Sequence, residues 1–191
     1  MVDDGILVQV DSSQFDSPIV PVEKEDGTVR ICGDYKSTVN PNLETKQYPL
    51  PTVEECFQPM SYGWGAKVFE VGFSQAYNNL KLKEGDQKLT TINTTKGLYK
   101  WTRLPNGVSS STAIFQQKMD QVLQGCKAVV CGVDDILVTG RTESEHLSNL
   151  EEMVNRPEQA NFRCNLKKSE FLQDEVKYLG YIINSRGIRP C

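Results

Sequence analysis

The 191-residue chain carries 21 basic and 25 acidic side chains, and its net charge of −4 argues against tight nucleic-acid binding through a general basic surface. Its 38% hydrophobic content suits one good core, and no apolar run approaches the ~20 residues that would span a bilayer. Six scattered cysteines and a lone histidine, His146, give no zinc spacing; with no signal-like segment at Met1–Gly5, they predict reduced thiols in an intracellular protein, cytoplasmic or nuclear, without membrane contact.

In chain order, Gly5 caps a helix end and Ile6–Val10 reads as a short strand. Pro18–Val22 and Val29–Tyr35 are strand-like runs joined through Asp26-Gly27, the strongest short hairpin signal in the chain. Pro41, Pro49 and Pro51 mark an extended linker, and a short helix over Thr52–Met60 is broken by Gly63 and Gly65. Lys67–Phe73 reads as a strand and Ser74–Leu80 as a serine-capped helical turn. Strands are expected near Leu89–Asn93 and Leu98–Arg103, and a helix over Ser111–Leu123 closed by Gly125. Thr142-Glu143-Ser144-Glu145 is a capping box, followed by a helix whose apolar face carries Leu147, Leu150 and Val154. Pro157 should stop or kink that helix just before it. Closing strands near Phe162–Leu166 and Val176–Ile183 end in a turn at Asn184–Gly187. Helices mixed irregularly with hairpins indicate an α+β fold with an antiparallel sheet.

Two stretches carry possible chemistry. Lys81, Lys83, Lys88, Lys96, Lys100 and Arg103, with Tyr99 and Trp101 among them, form either a groove wall for a nucleic-acid backbone or a solvated strand face. Val129–Val138 places Asp134 and Asp135 between two short β-branched runs, so the simplest geometry is a hairpin with both carboxylates at its tip. Adjacent strand residues point to opposite faces, so only one of the pair aims squarely at a common site. The pair is either a polar turn or a binding point for a hard divalent cation.

The order of motifs resembles, nearly end to end, the fingers and palm of reverse transcriptases from gypsy-type long-terminal-repeat retrotransposon Pol polyproteins. The similarity runs through Ser17–Val22, Asp26–Tyr35, Ser74–Tyr77, Leu104–Val108, Ala113–Gln116, Val133–Val138, Glu145–Leu147 and Tyr178–Tyr181. It implies a right-hand polymerase palm, an antiparallel sheet with helices on one face, with partial fingers and no thumb. The expected layout is one truncated domain, 1–66 mainly fingers and linker and 67–191 mainly palm. It also implies template-directed addition of deoxynucleotides to a primer end, with an RNA or DNA template-primer and deoxynucleoside triphosphates as partners and the rest of a Pol polyprotein as context.

By the same resemblance, Asp134 and Asp135 are the catalytic and metal-binding carboxylates for magnesium, with manganese as substitute. Lys24 and Arg30 hold the triphosphate, Tyr77 lies under the sugar, and Phe73, Asn106 and Lys168 complete the nucleotide site. The departures are as specific. Gly72 stands where the family has its other metal-binding aspartate, and Glu70, two residues back, lies too far along the strand for an easy replacement. Gly132 replaces the usual tyrosine, Pro157 interrupts a continuous helix, and Glu170-Phe171 follows Ser169 where a cysteine is usual. The resemblance with these departures predicts an impaired polymerase domain, or alternatively a non-catalytic nucleic-acid or nucleotide-binding remnant or a non-functional fragment.

Overall fold

A computed structural model describes the chain apart from residues 25–26, 45–47, 58–67, 74, 133–134 and 185. Strands β1 (Leu7–Val10), β2 (Ser17–Glu23) and β3 (Val29–Gly33) precede helix α1 (Val53–Phe57) and strand β4 (Val68–Phe73). The short helix α2 (Glu84–Gln87) leads to β5 (Thr91–Thr94) and β6 (Gly97–Trp101). Helix α3 (Ser111–Val122), the hairpin β7 (Val129–Gly132) and β8 (Asp135–Val138), and helix α4 (Glu143–Gln159) follow. The chain closes with β9 (Cys164–Gln173), β10 (Glu175–Tyr178), β11 (Tyr181–Asn184) and β12 (Gly187–Pro190). The α+β class is as expected. The molecule divides into two compact units, one of residues 1–47 with 77–114 and one of 48–76 with 115–191.

The first unit is built on a five-stranded sheet in the order β1-β6-β5-β2-β3. The β2–β3 hairpin pairs Val22 with Arg30 and Pro21 with Ile31 in antiparallel register. One pairing departs from the all-antiparallel expectation: β2 meets β5 in parallel, at Ser17–Ile92 and Pro18–Asn93 only. Pro18 and Pro21 offer no N–H, which keeps this contact short. The core beneath gathers Leu7, Tyr35, Val39, Ile92 and Trp101. The Tyr35 hydroxyl donates to the Thr90 carbonyl at 3.1 Å, and burial pushes the phenol well above its ordinary range. Trp101 is fully buried and Tyr99 packs against this core, so the aromatic part of the supposed groove wall is core; Lys100 alone of the lysines lies on a strand, and Lys81, Lys83, Lys88 and Lys96 are exposed outside the named strands. The strand expected from Leu89 starts instead at Thr91, because Lys88–Thr90 form a 3-10 turn.

In the second unit a four-stranded antiparallel sheet runs β7-β8-β4-β9, beside a three-stranded sheet β10-β11-β12. Phe73, Phe115 and Phe162 pack edge to face with centroids 5.8 to 6.1 Å apart, close to the buried Met119, Ile136 and Met153 of the same unit's interior. Helix α4 begins at Thr142, whose hydroxyl accepts from the Glu145 amide at 3.2 Å. The Glu145 carboxylate reaches back one residue further than a standard capping box, to the Arg141 amide at 3.0 Å.

Two expectations for α4 are corrected. The helix does not stop before Pro157 but runs on to Gln159. The proline sits in the last turn, so only the single donor that would bond the Met153 carbonyl is missing, and the turn beyond closes through the Phe162 amide onto the Pro157 carbonyl at 2.9 Å. The buried stripe is His146, Asn149, Met153 and Pro157, one residue out of phase with the expected apolar face, and Leu147 is 48% exposed. The closing region is corrected too. Val176–Ile183 is not one strand but two, folded at Leu179-Gly180, whose φ angles of +48° and +81° make a tight hairpin turn. Strand β9 extends through the charged residues beyond Leu166 to Gln173, with register irregularities against β4.

Candidate active site

The carboxylate half of the site lies in the second unit. Strand β8 pairs with β7 at Gly132–Asp135 and Cys131–Ile136, and with β4 at Gly72–Asp135 and Val71–Ile136. Asp135 therefore stands in register between two glycines at the end of the hairpin, half-buried, where the sequence places a carboxylate tip. Asp134 lies outside the described residues. On its other edge Gly72 pairs with Asn165, and Glu70 pairs with Leu137 and Glu170, two residues further along β4.

A bridged pair of cations needs acidic ligands from both strands, since a divalent ion surrenders water only to hard oxygen donors. The position of β4 opposite Asp135 is a glycine, which has no side chain to offer. Among the described residues, β4 therefore offers no side chain opposite Asp135 for a second ligand.

Side chains from other elements hold the hairpin's backbone. Gln116, fully buried on α3, donates from its amide to the Cys131 carbonyl at 2.9 Å and to the Asp120 carboxylate at 2.9 Å. The Tyr48 hydroxyl donates to that same carboxylate at 2.6 Å, which raises the Tyr48 pKa. From β10, the Tyr178 hydroxyl donates to the Asp135 carbonyl at 3.3 Å. Phe73, expected at the nucleotide, is 5% exposed, and its ring is committed to packing on Phe115 and Phe162. Lys168 lies within β9 rather than in a loop.

The other expected residues belong to the first unit. Arg30 is exposed on β3 opposite Val22, and Lys24 follows β2 in the hairpin loop; among the described residues neither side chain makes a hydrogen bond or ion pair. Tyr77, in a 3-10 turn over Ala76–Asn79, shares a hydrogen bond of 3.0 Å with the Thr112 hydroxyl in the first turn of α3. Asn106 is half-exposed in a turn clamped from two sides. Its carbonyl accepts from the Gly33 amide at 3.2 Å, while Asn40 donates to the Gly107 carbonyl at 3.0 Å and accepts from the Ser109 amide at 2.9 Å. Gly107 has φ +104°, and a Cβ there would lie 2.1 Å from the Gly33 carbonyl oxygen, so only glycine lets the turn sit this close.

Asn40 and Gln116 have no role in the sequence reading. Their targets are backbone carbonyls and amides, which no residue pattern advertises. The available signals were the Asn-Pro turn at Asn40-Pro41 and the i, i+4 spacing of Gln116 and Asp120.

The family model described as reverse transcriptase (RNA-dependent DNA polymerase) matches residues 24–183. Among curated relatives, uncharacterized protein K02A2.6 of Caenorhabditis elegans is 32% identical over 97% of this chain, and the transposon Tf2-3 polyprotein of Schizosaccharomyces pombe is 32% identical over 91%. The chain spans only 14% and 13% of their lengths. Among solved structures, the foamy viral protease-reverse transcriptase in complex with double-stranded DNA superposes with a TM-score of 0.87 at 27% identity, covering all of this chain and 39% of that one. The same viral enzyme in complex with an RNA/DNA hybrid gives 0.83 at 26% identity, covering all of this chain and 25% of that one.

Proposed function

Because the chain belongs to the reverse transcriptase (RNA-dependent DNA polymerase) family, we propose that it is the fingers-and-palm portion of a gypsy-type retrotransposon polyprotein whose polymerase activity is impaired. The transposon polyproteins among its relatives support that context, and the likeness to a polymerase bound to double-stranded DNA and to an RNA/DNA hybrid supports a template-primer as partner. Deoxynucleoside triphosphates are the proposed second substrate, in an intracellular setting.

In this reading Asp134 and Asp135 are the catalytic carboxylates. Arg30 and Lys24 bind the triphosphate, for which the planar guanidinium offers paired donors. Tyr77, held by Thr112, lies under the sugar, and Asn106 presents its side chain from the clamped turn. Lys168 protonates the departing pyrophosphate in this reading, and Phe73 supports the end of β4 from the core. Divalent cations, magnesium or manganese, supply the activation of the primer hydroxyl in this family.

The observation that carries the impairment is the pairing of Gly72 with Asp135, a strand-to-strand contact with one carboxylate where two are needed. Primer extension with magnesium and with manganese tests it. Extension at or below the detection limit is expected; robust extension by the unaltered chain points instead to Glu70 or another carboxylate as the second ligand. A binding role without catalysis is the second reading, favoured by Arg30 and Lys24, two cations suited to a triphosphate whose charge does not depend on Gly72. Salt-dependent binding of a template-primer separates that role from a fragment that binds nothing.

A further inference from the structure

The Tyr178 hydroxyl and Gly132 fill one another's space. A Cβ at residue 132 would lie 2.5 Å from the Tyr178 oxygen, 3.2 Å from its Cζ and 3.2 Å from Leu179 Cδ1. The same hydroxyl donates to the Asp135 carbonyl at 3.3 Å, and Asp135 is the residue paired with Gly132 across the hairpin. Tyr178 itself cannot move easily. It is 2% exposed, packed among Cys56, Val130, Leu137, Val176 and Ile183, and it ends β10 at the tight turn into β11.

We infer that Tyr178 is a positioning residue for the Asp134-Asp135 hairpin, reaching across the gap left by the missing side chain at residue 132 to fix the Asp135 backbone. Residues 132 and 178 then work as a pair. A Cβ at 132 and the hydroxyl at 178 crowd one another, because a contact of 2.5 Å requires one of them to shift and both lie in packed surroundings. This role rests on the reading that the hairpin is the catalytic tip, but the pairing itself does not depend on any activity.

The test is a double-mutant cycle on the full chain, Gly132→Ala with Tyr178→Phe, read by thermal unfolding and by hydrogen exchange. Gly132→Ala alone should lower the midpoint by roughly 5 °C, as overpacking at a buried contact does in a domain of this size. Tyr178→Phe alone should lower it by roughly 3 °C through the lost hydrogen bond, with faster amide exchange concentrated at Gly132–Ile136 and little change at Val129 or Val138. The double variant should unfold at or above the midpoint of Gly132→Ala, because the phenylalanine removes the oxygen that the new methyl meets. A double variant below Gly132→Ala overturns the pairing. Exchange in Tyr178→Phe that is unchanged, or that rises evenly over the unit, overturns the positioning role, and this arm stands even if Gly132→Ala fails to fold. Absent primer extension in the unaltered chain bears on Gly72, so the cycle and the exchange pattern decide the pair independently of activity.

Discussion

Pro157 sits in the buried stripe of α4 with a full helical turn on its N-terminal side, so its replacement has a calculable effect. A proline inside a helix costs about 3 kcal/mol, from the lost hydrogen bond, here to the Met153 carbonyl, and from the ring's clash with that carbonyl. Pro157→Ala returns that amount. Against it stand about 0.7 kcal/mol for the greater freedom of the unfolded chain and about 1.6 kcal/mol for two buried methylenes. The balance is a gain of about 0.7 kcal/mol, or about 2 °C in the midpoint of a domain this size. Pro157→Leu also returns the hydrogen bond but adds bulk to a buried position, so its gain should be smaller than that of alanine. Thermal unfolding followed by circular dichroism at constant protein concentration is the assay. An unchanged or lower midpoint for Pro157→Ala would refute the argument and show that the turn around Pro157 is already relaxed.

Nucleotide binding should outlast catalysis. Arg30→Ala is expected to weaken deoxynucleoside triphosphate affinity at least about tenfold, as the loss of charge-assisted hydrogen bonds does; equal affinities by fluorescence titration would remove Arg30 from the site. His146 is buried and, among the described residues, neither ring nitrogen is hydrogen-bonded; desolvation lowers its pKa from 6.5, with the Glu143 carboxylate opposing more weakly. As pH falls, the unfolded chain therefore takes up the proton first, so stability is complete above about 6.5 and declines below it toward the lowered folded value. Since His146 is the chain's one histidine, His146→Leu should flatten the pH dependence of denaturant unfolding between about pH 6.5 and 5.5, and an unflattened profile would contradict this.

What was legible in the residues was local. The β7–β8 hairpin announced itself because two β-branched runs flank a charged pair, and the β2–β3 hairpin because Asp26-Gly27 separates two such runs. The phase of α4 was misread because its buried positions are filled by a histidine, an asparagine and a proline, which do not register as apolar. Strand β9 was cut short because Lys167, Lys168 and Glu170 look like loop residues, although charge is common on a strand at the edge of its sheet. The fold between β10 and β11 was hidden by Leu179, whose positive φ is rare for a branched side chain. In the site, the family resemblance pointed to residue 72, and the strand register pairs Gly72 with Asp135. The clamps from Asn40, Gln116 and Tyr178 were invisible because each ends on a backbone group far away in sequence.

In the proposed function, one missing carboxylate on β4 impairs the site. Calorimetric titration of magnesium into the unaltered chain and into Gly72→Asp tests it most directly. The unaltered chain should bind weakly, and Gly72→Asp should bind about tenfold tighter or better, the value of one added charged ligand opposite Asp135. Equal affinities in the two proteins would contradict the account, because residue 72 would then have no part in holding the metal.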